Sequence, residues 1–81
     1  MNDINVIQEV KQIIEEVTGE DAELLKSNLD FDFLGIDDLD KMEIIVSMEE
    51  HFNISVSEEE FDGLVKIRDL INLVKIKTTE K

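Results

Sequence analysis

Apolar residues recur at helical spacing in three stretches of this chain, and in none do they alternate over the length of a strand. That pattern restricts the fold to one built from helices. The first stretch covers about residues 3–17. Val6, Ile7, Val10, Ile13, Ile14 and Val17 fall on one stripe, while Glu9, Lys11, Glu15 and Glu16 lie mainly off it. Thr18 and Gly19 end this helix, glycine being a natural residue just past a helix C-terminus.

A second long helix is predicted from Asp37 and Asp38 to about Phe52. Leu39, Met42, Ile45, Val46, Met48 and Phe52 give it a wide apolar side, with Ile44 near the edge of that arc. Asp40, Glu43, Ser47 and Glu50 share the opposite side at i, i+3, i+7 and i+10. Asn53 to Ser57 is a break. Ser57 followed by Glu60 has the form of a capping box, which predicts a short third helix over about 58–62, closed by Gly63. Ile67, Leu70, Ile71, Leu73 and Val74 mark a last helix over 67–76, and the tail from Lys77 to Lys81 is expected to fray.

The connector between the first two helices spans residues 18–36. Loops beyond about 12–15 residues are uncommon in small domains unless they pack on themselves or carry function. Leu24, Leu25, Leu29, Phe31, Phe33 and Leu34 supply anchors, so the loop is expected to lie pinned across the helix ends, with a helical turn near Ala22–Leu25. The sum is an all-α four-helix bundle in one domain over residues 1–81. It has three long helices, one short third helix and a long first loop.

Charge narrows the partners. Twenty-one acidic residues face eight basic ones, for a formal net charge of −13. Nucleic acid and anionic membrane surfaces would be repelled, since both are bound through Lys and Arg. A partner with a basic patch would be steered in, although the same charge also serves plain solubility. With four Phe and no Trp or Tyr, the core must rely on Ile, Leu, Val and Met. The chain has no Cys, no signal-peptide pattern at its start and no apolar run near the roughly 18 residues of a membrane helix. A cytoplasmic monomer is the expectation.

Few residues suggest catalysis or metal binding. His51 is the only histidine, so it has no second His or Cys with which to build a zinc site or a nucleophile–base pair. Asn28, Asp30 and Asp32 have the spacing that opens a calcium loop. The sixth and twelfth positions are Phe33 and Leu39, where Gly and Glu are needed. No metal site is expected, although crowded carboxylates keep a cation-responsive acidic helical protein open as an alternative. An enzyme is the least expected class, because a bundle this small has little room for paired carboxylates with separated pKa values.

The segment Leu34-Gly35-Ile36-Asp37-Asp38-Leu39-Asp40 resembles the start of the second helix in acyl carrier proteins, whose usual form is L-G-x-D-S-L-D. The following MEIIVSMEEHFNISVSEEEF resembles that family's acidic recognition helix, its exit and its short third helix. The likeness extends over nearly the whole chain. It implies a carrier of acyl thioesters on a 4′-phosphopantetheine arm, esterified to the serine at the position of Asp38. It also implies a docking surface for carrier-dependent synthases or transferases bearing basic patches, formed by Asp37, Asp40, Glu43, Ser47 and Glu50 with Met42 and Ile44 as apolar spots.

Asp38 departs from that pattern. A carboxylate is ionised at neutral pH and would have to approach the pyrophosphate of coenzyme A without help from its charge. The product would be a labile acyl-phosphate anhydride. No arm is therefore expected here, and Ser27, Ser47, Ser55 and Ser57 lack the family context. Asp38 reads first as an ordinary acidic helix start, favoured by about 0.3–1 kcal/mol through the macrodipole, with an engineered replacement in a true carrier or, least of all, a mimic of the modified serine's charge as alternatives.

Overall fold

The computed structural model describes residues 3–79, which form four α-helices in the expected order: α1 (Asp3–Thr18), α2 (Asp38–Phe52), α3 (Glu58–Asp62) and α4 (Ile67–Thr79). Local chemistry explains several of these boundaries. Gly19 takes a φ of 80° and its N–H donates to the Glu15 carbonyl at 2.8 Å, closing α1 in the left-handed manner that suits glycine. Asp37 caps α2 by accepting from the Asp40 N–H at 2.9 Å. Asn53, with a φ of 56°, ends it. The capping box of α3 is complete. The Glu60 N–H donates to the Ser57 hydroxyl at 3.2 Å, and the Ser57 N–H donates to the Glu60 carboxylate at 2.9 Å.

The core is drawn from α1, α2, α4 and the loops. Val10, Ile14, Met48, Ile67 and Val74 are fully buried on their helices, and no polar or charged residue is buried among those described. Burial of each such side chain contributes about 1.5–3 kcal/mol. α3 contributes no buried residue of its own. Phe61 is its half-buried contact with the cluster.

The long first loop is pinned to the start of α4. The Phe31 N–H donates to the Val65 carbonyl at 2.9 Å, and the Ile67 and Arg68 N–H groups donate to the carbonyls of Leu29 and Ser27. An isolated bridge pairs Asp30 with Lys66, whose ammonium meets the Asp30 carboxylate at 2.6 Å. A single 3-10 turn covers Ala22–Leu24. Leu25 and Phe31 are buried anchors, as expected. Leu24 and Phe33 are not, at 58% and 76% exposure. Between Phe31 and Ile36 the chain turns through Gly35, at a φ of 74°. The Ile36 N–H donates back to the Phe31 carbonyl. That turn directs Phe31 and Ile36 inward and leaves Phe33 outside.

The last helix runs past its predicted end at 76. Lys77, expected in a frayed tail, reaches the Glu60 carboxylate at 2.9 Å and anchors the final turn, where a cation also suits the helix dipole. The rest of that tail, Glu80 and Lys81, lies outside the described residues.

Candidate functional site

The resemblance directs attention to the first turn of α2. Asp38 is its first helical residue, and its side chain is 88% exposed. The carboxylate meets the Lys41 ammonium at 3.4 Å, one turn on. A phosphodiester-linked arm needs a hydroxyl, and this position presents none. The hydroxyl of Ser57 is engaged in the cap of α3.

Along α2 the charged residues fall where expected. Glu43 and Glu50 are exposed, and Asp40 and Ser47 are half-buried beside them on the same face. Asp37 is exposed but turned to capping. Met42 is 56% exposed, so it is available at the surface. Ile44 is not: at 1% exposure it belongs to the core and offers nothing to a partner. Its expected place as an exposed apolar spot is corrected by the rotation of α2. The core takes the arc around Ile44, Ile45, Met48 and Phe52. Leu39 and Val46, read from sequence as part of the buried side, are 65% and 52% exposed.

Leu39, Met42 and Val46 stand at i, i+3 and i+7, so they form a second apolar stripe beside the acidic one. The sequence carried that spacing, but the apolar side of α2 was too wide to show which part would face the core. A groove of about 470 Å³ continues this stripe between α2 and α3, with Met42, Ile45, Val46, Val56 and Phe61 in its walls. Glu49 holds the groove's far end by accepting from the Val56 N–H at 2.9 Å. The arrangement is an apolar surface rimmed by carboxylates.

The other candidates have structural partners. Asp30 is occupied by Lys66. His51 lies 3.6 Å from Glu9 across α1 and α2, and its ring packs edge-on against Phe52. Among the described residues no group of three or more His, Asp or Glu stands together as a metal ligand set. No helix among them is long and apolar enough to cross a membrane.

Comparison with known proteins bears on this geometry. The profile of the phosphopantetheine attachment site family matches residues 8–74. The chain is 38% identical over 76 residues to the acyl carrier protein of Clostridium acetobutylicum, covering 93% of this chain and 99% of that protein. It is 40% identical over 73 residues to the acyl carrier protein of Streptococcus thermophilus, covering 90% and 96%. Its fold matches the crystal structure of the acyl carrier protein from Thermotoga maritima with a TM-score of 0.86 at 29% identity, over 99% of this chain and 94% of that one. A hexanoyl acyl carrier protein of the Streptomyces coelicolor actinorhodin polyketide synthase matches in fold at 0.82 and 22% identity, over 90% of each chain. A helical bundle with an acidic second helix, matched by profile, sequence and structure over nearly its full length, belongs to the acyl carrier protein family, whose members are carriers rather than enzymes.

Proposed function

We propose that this chain is an acyl carrier protein homologue that holds no phosphopantetheine arm and acts as a docking module for enzymes that recognise carrier proteins. The observation that carries this reading is Asp38, an exposed carboxylate at the position where the resemblance puts the attachment serine. It has no hydroxyl to esterify, and its charge opposes approach to an anionic pyrophosphate. The acidic face of Asp40, Glu43, Ser47 and Glu50, with Leu39, Met42 and Val46 beside it, supports docking. Carboxylates steer a basic patch into register, and the apolar stripe supplies the contact that excludes water. Asp37, committed to its cap, stands at the edge of this surface. Ile44 takes no part.

The test is mass spectrometry after incubation with coenzyme A and a broad-specificity phosphopantetheinyl transferase. The wild-type chain is expected to keep its mass. Asp38→Ser is expected to gain one arm, because the docking surface around it is intact. A wild-type chain that gains the arm would sink the armless reading. An Asp38→Ser chain that remains unmodified would count against the docking surface.

A further inference from the structure

Lys41 is the only lysine or arginine in α2, and it stands on the core-facing arc, one turn before Ile44 and Ile45. Its side chain is only 14% exposed. The ammonium donates to the Leu64 carbonyl at 3.2 Å. It also lies over two aromatic rings, 5.7 Å from the centre of Phe31 and 5.4 Å from that of Phe61, within the range of cation–π attraction. Asp38 completes its surroundings on the solvent side. These partners come from four places: the first loop, α2 itself, α3 and the segment after α3.

α3 needs such a tie. It buries no residue fully, so little apolar burial holds it to the bundle. Its other ties are the half-buried packing of Phe61 on the core, Glu49 accepting from Val56 at one end and the Glu60–Lys77 pair toward α4. Phe61 is both a ring beneath Lys41 and a wall of the α2–α3 groove. We propose that Lys41 is a cationic latch that holds α3 against α2 and so sets the opening of the groove between them. The latch stands apart from whether position 38 can be modified. Asp38 contributes less to it than the rings and the carbonyl do, since an exposed ion pair is weak.

Hydrogen–deuterium exchange resolved by helix tests the latch. Lys41→Met keeps the apolar stem and removes the charge. Amides of residues 57–64 are expected to exchange about tenfold faster while those of α1 keep their protection. Lys41→Arg, which retains a cation able to stack on rings, is expected to stay within about twofold of wild type. A neutral apolar fluorophore, N-phenylnaphthylamine, should bind more tightly to the Met variant as the groove opens. Unchanged exchange in α3, or an equal rise in every helix, would overturn the proposal. Should Lys41→Met fail to fold, Phe61→Leu decides the matter by the same reading, because it removes one ring and leaves the charge. Asp38→Asn is expected to give a smaller rise confined to α3, and a rise larger than that of Phe61→Leu would also overturn the assignment.

Discussion

α1 and the α2–α3 edge use apolar residues in opposite ways. Every large apolar side chain described in α1 is buried or half-buried, and its outer face carries Gln8, Gln12, Glu15 and Glu16. α2 buries one arc and exposes another, with Leu39, Met42 and Val46 open to solvent, while α3 buries nothing completely. The apolar content of α1 is fully explained by the core. That of α2 is not, because three large side chains on one stripe contribute little to folding. A contiguous exposed apolar stripe rimmed by charge is a mark of an interaction surface. The contrast separates residues that fold the chain from residues that the proposed docking would use.

The largest effect should come from breaking the first half of that contrast. Ile14 is fully buried at the centre of the α1 stripe, and Ile14→Ala is expected to cost about 2–5 kcal/mol. Leu39→Ala, an equally drastic truncation on the exposed stripe, should cost less than about 0.5 kcal/mol. Urea denaturation of both variants measures the difference. Equal losses would mean that Leu39 is packed in solution and that the stripe is part of the core.

Next in size is the effect on docking. In an Asp38→Ser background, Met42→Ala and Glu43→Lys are each expected to slow arm transfer by about tenfold, with stability within about 0.5 kcal/mol of the parent. Ile44→Ala should do the reverse, destabilising the fold while the chain that remains folded is still modified. A transfer rate indifferent to Met42 and Glu43 would detach both stripes from partner recognition. A third and smaller effect belongs to α3. Ser57→Ala removes one side of its capping box and should cost about 1 kcal/mol, with the loss of exchange protection concentrated in α3.

The sequence made the helices legible because their signals are local. The stripe of α1, the acidic pair that opens α2 and the Ser57–Glu60 box need only neighbouring residues, and the box placed α3 to the residue. The absence of a hydroxyl at position 38 is equally visible without coordinates. What stayed hidden depends on contacts far apart in the chain. Apolar residues occupy more than half of the circumference of α2, so spacing could not decide between Ile44 and Leu39 for the core. Lys41 carries no local signal of its role, because its partners Phe31 and Leu64 lie on either side of it at a distance only the fold can close. The continuation of α4 to Thr79 likewise rests on Lys77 finding Glu60.

The smallest predicted effect sharpens the contrast further, because it concerns a helix held by polar ties. Glu60 accepts from the Ser57 N–H and meets Lys77, and these interactions hold its carboxyl below the usual glutamate range, the backbone hydrogen bond first and the lysine second. A lowered folded-state value means that, as acid is added, the unfolded chain takes up this proton before the folded one. The contribution of Glu60 is therefore present above the ordinary glutamate value of about 4.3 and is lost as pH falls through the lower folded value. Overall stability is a poor measure of this, since protonating the other carboxylates relieves the repulsion of a chain at −13. The useful quantity is the difference between wild type and Glu60→Gln. Their urea midpoints should stand apart by a constant amount near neutral pH and converge as pH falls through the lower folded value. α1 is held by apolar burial, and Ile14→Ala should show a gap from wild type that keeps its size across the same range. A Glu60→Gln gap that persisted unchanged into acid would mean that the carboxylate charge does not hold α3.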